Sequence, residues 1–453
     1  MTARNKGTLS RRGFLAGSVA AASAPFMIAP RHAIAGAKEK APSEKLNIAG
    51  IGIGGVGSRN LANLPDERVV ALCDVDDNYA APVFQAFADA RRYKDFREML
   101  AAEKDLDGVV IATPDHSHAV ISAAVIRAGI PVFCQKPLTH DVNEARQLAK
   151  LAKETEAITQ MGIQGHAGEG TWNLRHWIRS GLIGEVREVE AWCTDTYYPW
   201  GHASWSPKQG FLPTDEVPVP DGFDWDRWLG PIAHHPYQPC YHPRSWRAFW
   251  DFGSGWMADR GAHSLDPVVW ALDLGQPTLI DATCTGATEH LHPVSAVVRF
   301  EFPKRKKQPP VTITWYTGLR APRPTGVPAG DDFGDRTGGI IFKGSDGILT
   351  CDTYGERPRL LPSSRMKDFT PPALDEPWPG RSIETDWAWA IRNGKKACAD
   401  FAYSGPLTEI CMLGNIAKRV GGTIEWDTKQ MTVTNNPDAN QYVATQYREG
   451  WTI

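Results

Sequence analysis

The chain of 453 residues has no excess of positive charge: 49 Lys and Arg stand against 52 Asp and Glu, a formal net charge of −3. That leaves no electrostatic case for nucleic acid or an acidic lipid surface as the main partner. It has no C-x-x-C pair. Its eight Cys are scattered at 73, 134, 193, 240, 284, 351, 398 and 411, so zinc spacing is absent and free, mostly buried thiols are expected. It has no Ser-His-Asp elbow and no cluster of metal-ligating residues. "HAGEG" at 166–170 and "HH" at 234 stand alone, and no metal is expected. The one basic run, "PKRKKQPP" at 303–310, sits between the strand-like runs "SAVVRFEF" and "VTITWYT", as a solvated hairpin tip would. What remains is 42% hydrophobic and 22% charged, which suits a soluble globular protein of about two domains. Trp is plentiful at 17. Part of that is core, but Trp also offers the best flat face for stacking a sugar ring or another apolar ligand face.

Residues 1–35 read as a leader rather than fold. Arg11 and Arg12 precede a moderately apolar stretch that ends in Ala33-Ile34-Ala35. This resembles a twin-arginine export signal cleaved after Ala35, which places the mature protein in the periplasm. Pro25 and Pro30 make a membrane-spanning helix poor, so no span is expected after cleavage. A polar linker, 36–45, follows.

The first domain is expected over 46–165. "LNIAGIGIGGVGSRNLANL" is a short apolar strand running into Gly52-x-Gly54-x-x-Gly57 and then a helix-compatible stretch. A second strand, "VVALCDVD", reaches Asp74, about 20 residues on, the spacing of a dinucleotide-binding unit. Glycines let backbone N–H groups approach a pyrophosphate, and the acidic residue holds the ribose hydroxyls. A carboxylate there repels a 2′-phosphate, so NAD is expected over NADP. Strands and helices then alternate as a doubly wound parallel sheet requires. Ligands lie at the carboxyl ends of such strands, where "TPDHSH" (113–118) and "QKPLTH" (135–140) fall. The candidate cofactor residues are therefore Gly52, Gly54, Gly55, Val56, Gly57, Asp74, Thr113, Pro114, His118, Gln135 and Lys136. Pro137 keeps Lys136 out of the helical region, so its ammonium leaves the strand end in a defined direction.

"GIGGVG", "CDVD", "VVIATPDHSH" and "CQKPLTHDVNEARQLAKLA" resemble the glucose–fructose oxidoreductase / inositol dehydrogenase / rhizopine-catabolism family over essentially the whole chain after residue 45. The family's usual Glu-Lys-Pro is Gln135-Lys136-Pro137 here, so no catalytic role falls to Gln135. The resemblance implies a Rossmann domain and, over 166–453, an α/β domain with a large open, mainly antiparallel sheet. The outer face of that sheet commonly makes oligomer contacts, so a homo-oligomer is expected.

From about 166 strand-like runs dominate, which fits that sheet. A Trp-, His- and Pro-rich insert at 197–252 is too aromatic for disorder and is read as a substrate-site wall. Trp200, His202, Arg244 and Trp246 are its candidate contacts, with Gln164 and His166 from the preceding loop. "GSGWMADRGAHSLDPVVWAL" follows. If it is helical, Asp259, His263 and Asp266 share a face; Gly261 leaves room for a ligand, and Pro267 brings a local kink. The block resembles the family's Asp-x-x-x-His motif, which implies a catalytic set of Lys136, Asp259 and His263. A substrate hydroxyl would lose its proton to the imidazole, and Lys136 would stabilise the developing alkoxide. The expected function is NAD-dependent oxidation of a sugar, glycoside or cyclitol. Two alternatives stay open: a glycosidase or lyase working through a transient keto-sugar, and a non-catalytic sugar- or cofactor-binding protein.

Overall fold

The computed structural model describes residues 44–453 except 199, 200, 203, 208, 209, 211, 213, 214, 216, 307, 374 and 375. The twin-arginine segment and Trp200 lie outside the described residues. The chain divides into two compact units, Met1–Lys45 and Leu46–Ile453, and the second holds both sheets.

Its first part runs β1 (Asn47–Ile51), a tight turn at Ile53–Gly57, α1 (Ser58–Ala62), β2 (Arg68–Cys73), α2 (Asp77–Ala86), β3 (Arg91–Tyr93), α3 (Phe96–Ala102), β4 (Gly108–Ile111), α4 (His118–Arg127), β5 (Val132–Gln135), α5 (Val142–Glu154) and β6 (Thr159–Gly162). The six strands form one sheet in the order β3-β2-β1-β4-β5-β6, every pair parallel. β4 and β5 are buried at every position. That is why they read as continuous apolar runs without alternation: helices cover both faces of such a sheet. Three of these five helices, α2, α3 and α5, start where an aspartate side chain accepts from free N–H groups. Asp141 accepts from Glu144 N at 2.7 Å while Glu144 takes the Asp141 amide, a reciprocal cap on α5.

The second part runs α6 (Glu169–Arg179), β7 (Val186–Cys193), α7 (Trp225–Leu229), α8 (Gly255–Asp259), α9 (Gly261–Leu272), β8 (Leu279–Thr285), β9 (Ser295–Phe302), β10 (Val311–Thr317), β11 (Gly338–Gly344), β12 (Ile348–Cys351), β13 (Arg359–Leu361), α10 (Ile383–Asn393), α11 (Phe401–Val420), β14 (Thr423–Asp427) and β15 (Thr432–Val433). The nine strands order as β13-β12-β11-β7-β10-β9-β8-β14-β15. Only β7 and β10 pair parallel, so the sheet is mainly antiparallel, the fold class the sequence implied. β10 alternates strictly between buried and half-buried positions, with Val311, Ile313 and Trp315 facing the core, the signature of a sheet with one covered face. The other face is partly covered by the chain itself: Trp192, Ile341 and Leu361 pack with Ala321, Val327 and Phe333 from the β10–β11 connection. The basic run joins β9 to β10 as an antiparallel hairpin. Among the described residues no helix is long and apolar enough to cross a membrane, and all eight Cys are free thiols.

Candidate active site

One cavity of about 840 Å³ runs from the glycine turn to His263. At one end the glycines are there for want of space. Gly52 has φ +74°, and a Cβ on it would lie 2.6 Å from the Thr113 amide nitrogen; one on Gly57 would lie 2.5 Å from the Gly52 carbonyl oxygen. Gly57 therefore packs beneath the turn rather than lining the cavity. Gly52, Gly54, Gly55 and Val56 line it, and a Cβ on Gly55 would meet nothing nearer than 3.4 Å, so the turn presents bare backbone to a ligand. Asp74 also lines the cavity, but its oxygens serve the backbone. Oδ2 accepts from Ile53 N at 2.8 Å and Gly54 N at 3.0 Å, and Oδ1 from Asp76 N at 3.0 Å. The residue expected to hold ribose also braces the turn that faces the pyrophosphate. Burial raises its carboxyl to about 6, against those three backbone donors.

The two loops at the strand ends are tied together. The ring nitrogens of His118 face the Pro137 carbonyl at 2.7 Å and the Thr113 carbonyl at 2.9 Å, clamping one loop onto the other. Thr113, Pro114, His118, Gln135 and Lys136 all line the cavity. Gln135 donates to Asn60 Oδ1 at 2.8 Å, and Asn60 donates to buried Glu384 at 2.9 Å. Glu384, on α10, thus reaches the cofactor end from 324 residues away, which no spacing in the sequence signals.

At the other end Lys136 donates to the Asp259 carbonyl at 2.7 Å and pairs with its carboxylate. Burial by itself would raise Asp259; Lys136 and then Arg247 outweigh it and hold the carboxyl at about 2. His263 is buried, stacks at 4.5 Å on Tyr354, and lines the same cavity. Burial first and the Lys136 charge second push its pKa well below the ordinary value, so the ring is neutral. Its Nδ1 is buried without a hydrogen-bond partner among the described residues, and Nε2, also without one but not buried, is left to face a substrate. A neutral imidazole with a bare nitrogen can take a proton from a hydroxyl.

Three expectations about this block fail. Asp266 does not join Asp259 and His263, which both line the cavity although the helix is interrupted at Arg260, between α8 and α9; α9 runs unbroken through Pro267. Asp266 turns away, accepting from Tyr403 OH at 2.6 Å and pairing with His166 Nδ1 at 2.8 Å. His166 is therefore a fully buried partner of Asp266, outside the cavity, and not a substrate contact. Gly261 makes no room for a ligand: a Cβ there would meet Met257 at 3.1 Å, so the helix packs tightly on the core at that point.

The aromatic insert does wall the cavity, through Trp205, Trp228, His242, Arg244, Trp246 and Arg247. Of the expected contacts, Trp246 and Arg244 line it, as does Gln164. Arg244 sits toward the glycine turn, its Nε donating to Tyr79 OH at 3.3 Å. His202 does not line the cavity; it stacks behind Trp205 at 4.3 Å. Arg247, Arg260, Trp205 and Tyr354 were missed, though "WRAFW" and "DRGAH" carried the two arginines beside residues already singled out.

A parallel sheet that carries a glycine cradle and Lys136, joined to a second part whose helices bring Asp259 and His263 to the same cavity, defines a two-domain dinucleotide-dependent protein. Residues 46–163 match the oxidoreductase family with an NAD-binding Rossmann fold, and residues 169–304 match that family's C-terminal alpha/beta domain. The two matches together span more than half the chain, which belongs to this glucose–fructose oxidoreductase / inositol dehydrogenase / rhizopine-catabolism family; NAD is the cofactor its first domain binds. Inositol 2-dehydrogenase of Rhizobium meliloti (strain 1021) is 31% identical over 156 residues, 34% of this chain and 46% of that protein. Inositol 2-dehydrogenase of Serratia proteamaculans (strain 568) is 32% identical over 246 residues, 52% of this chain and 66% of that protein. The chain thus spans about half the length of the first of these relatives and less than two thirds of the second. In fold it is similar to the WlbA dehydrogenase from Bordetella pertussis, solved with NADH and UDP-GlcNAcA, with a TM-score of 0.59 at 15% identity over 84% of this chain and 99% of that one.

Proposed function

We propose that the protein is an NAD-dependent oxidoreductase acting on a secondary hydroxyl of a sugar, glycoside or cyclitol. The observation that carries the reading is the placing of neutral His263 in one cavity with the Lys136–Asp259 pair and the glycine cradle. When bound, NAD supplies the acceptor for the hydride that leaves the carbinol carbon. The His263 imidazole takes the hydroxyl proton as the C–H bond breaks, through Nε2, the ring nitrogen that is not buried. Lys136, held at a fixed point by the Asp259 carboxylate and carbonyl, stabilises the negative charge that grows on the oxygen. Asp259 orients the lysine rather than the imidazole. The aromatic wall of the insert offers faces for a sugar ring. The names of the matched inositol dehydrogenases support a polyhydroxylated ring as substrate. The twin-arginine pattern of residues 1–35 supports a place of action outside the inner membrane, and the exposed part of the open sheet's outer face supports self-association.

The test is a carbohydrate panel scored for keto-sugar and for free aglycone with wild type, His263→Ala and Lys136→Met. Each substitution is expected to lower kcat by about 10²-fold or more, the scale of lost acid–base assistance, with NAD content unchanged. Near-normal turnover by His263→Ala on a genuine substrate would remove the proposed base. Release of aglycone without net keto-sugar would move the reading to redox-neutral cleavage.

A further inference from the structure

The substrate end of the cavity holds more positive charge than it can use. Lys136 and Asp259 neutralise one another in the reacting pair. Two guanidiniums flank that pair, and among the described residues neither donates a hydrogen bond to a carboxylate. Arg247 comes no closer than 3.7 Å to Asp259 Oδ2, which is itself without a hydrogen-bond partner. Its Nη1 donates only to the Arg244 carbonyl, at 3.2 Å. Arg260 donates to Tyr354 OH at 2.6 Å, stands 3.6 Å from Asp195, and keeps its Nε buried with no hydrogen-bond partner. Both side chains are about 16% exposed, so water does not solvate them freely. Asp115, the remaining acid at this end, keeps its proton up to about 7 because it is buried. Among the described residues three cations, Lys136, Arg247 and Arg260, stand by Asp259 and Asp195, with Asp115 beside them only partly ionised near neutral pH. Holding a desolvated charge short of its partner is costly; a ligand that brings the missing charge removes the cost.

The aromatic rings say where it would sit. Arg247 lies over Trp246 at 4.2 Å and over Trp205 at 5.0 Å, and Arg260 lies 5.8 Å from the same Trp205 ring. His202 stacks on one side of Trp205 at 4.3 Å, and both guanidiniums lie over that indole, so two donor forks are gathered at one ring. The planar forks of two guanidiniums fit two coplanar oxygens.

The geometry points to a sugar that carries a carboxylate, a hexuronate or aldonate, as the substrate class, its carboxylate held by Arg247 and Arg260 while a ring hydroxyl meets His263. This rests on the oxidoreductase reading above. The experiment uses NAD-loaded full-length protein and matched pairs: D-glucose with D-glucuronate, D-galactose with D-galacturonate, and glucose 6-sulfate as a second monoanion. Single-turnover oxidation and binding to the loaded protein are both measured. The acid of a pair is expected to exceed its neutral partner in kcat/KM by about tenfold or more. Arg260→Met and Arg247→Met should each cut that ratio by about 10- to 100-fold, the scale of a lost charge-assisted contact, mostly through KM, with Arg260→Lys restoring part of it. NAD content and Tm report whether each variant is folded. Neutral sugars turned over as well as their acids would overturn the carboxylate while leaving the oxidoreductase intact, and so would a preference for the sulfate. No turnover and no binding by any member would overturn both.

Discussion

Asp115 sits 5% exposed in the loop after β4, and its Oδ2 accepts from Ser254 N at 3.0 Å. Burial raises the carboxyl to about 7; Arg247 opposes the rise and Asp259 adds to it. In the unfolded chain the same group loses its proton near 4. Between those values the folded state binds the proton and the unfolded state does not, so this residue lowers stability as pH rises from about 4 to about 7 and adds no further change above. Asp115→Asn keeps an acceptor for Ser254 N and removes the titration. Its Tm relative to wild type should therefore climb across that window, reaching a gain of about 2–4 °C above it. A difference that stays flat from pH 4 to 8 in thermal melts would show that Asp115 ionises freely. Nothing in "TPDHSH" foretells this. The sequence placed the loop at a ligand edge, but burial against Ser254 and proximity to Arg247 come from elements more than 100 residues away.

At the scale of elements, what was legible was what local pattern encodes. β1, the glycine turn and the strands of the parallel sheet follow from apolar runs bounded by turns. Lys136 follows because a strand end and a proline fix it. The open-sheet strands follow from alternation, as β10 shows. What was not legible is how elements meet: the break at Arg260 between the helices that carry Asp259 and His263, and the turning of Asp266 toward His166, which lies 100 residues earlier. Both are settled by packing, not by spacing. α11 carries a further case. Its Lys418 is 3% exposed, with Nζ 5.8 Å from the Trp250 ring. Burial lowers its pKa to about 7, against the pull of Cys284 and Cys411. An unfolded lysine is charged below about 10.4, so the helix loses stability as pH falls from there to about 7 and then loses no more. Lys418→Met, a similar length without the charge, should raise Tm, with the largest gain at or below pH 7 and little near pH 10. Melts in which the variant is less stable at pH 7 would mean that the ammonium has a partner worth more than its desolvation.

Across the whole molecule the chain beyond β15 returns to the first sheet and closes the cofactor end. Thr445 N donates to Asp141 at 2.6 Å and Tyr447 OH to Glu144 at 2.5 Å, both at the start of α5. Arg448 N donates to the Pro231 carbonyl at 3.0 Å, and its guanidinium pairs with Asp226 on α7. Trp451 packs against Phe96 of α3 at 6.2 Å, beneath Arg97 at 4.1 Å, and lines the cavity. One segment thus fastens the aromatic insert to the parallel sheet and places an indole at the cavity wall beside the glycine turn's partners. If the protein works outside the inner membrane, as residues 1–35 suggest, it has no assured supply of free NAD there, and a cofactor that left would be lost. It must fold around NAD before export and regenerate it in place. Protein purified without added nucleotide is therefore expected to carry NAD in a large fraction of sites and to turn over without external NAD. Ending the chain after Gln446 removes the Tyr447, Arg448 and Trp451 contacts. Losing a cation–π contact and an aromatic wall, about 1–2 kcal/mol together, should speed NAD release by about tenfold and lower Tm more in the NAD-loaded form than in the empty one, since the lost fastening contacts weaken both and ligand stabilisation follows affinity. Stopped-flow release of NADH fluorescence and melts with and without NAD measure both. If the shortened chain keeps its NAD as firmly as the full one, the tail is no part of the cofactor's enclosure, and retention must come from the glycine turn and the Asp74 brace alone.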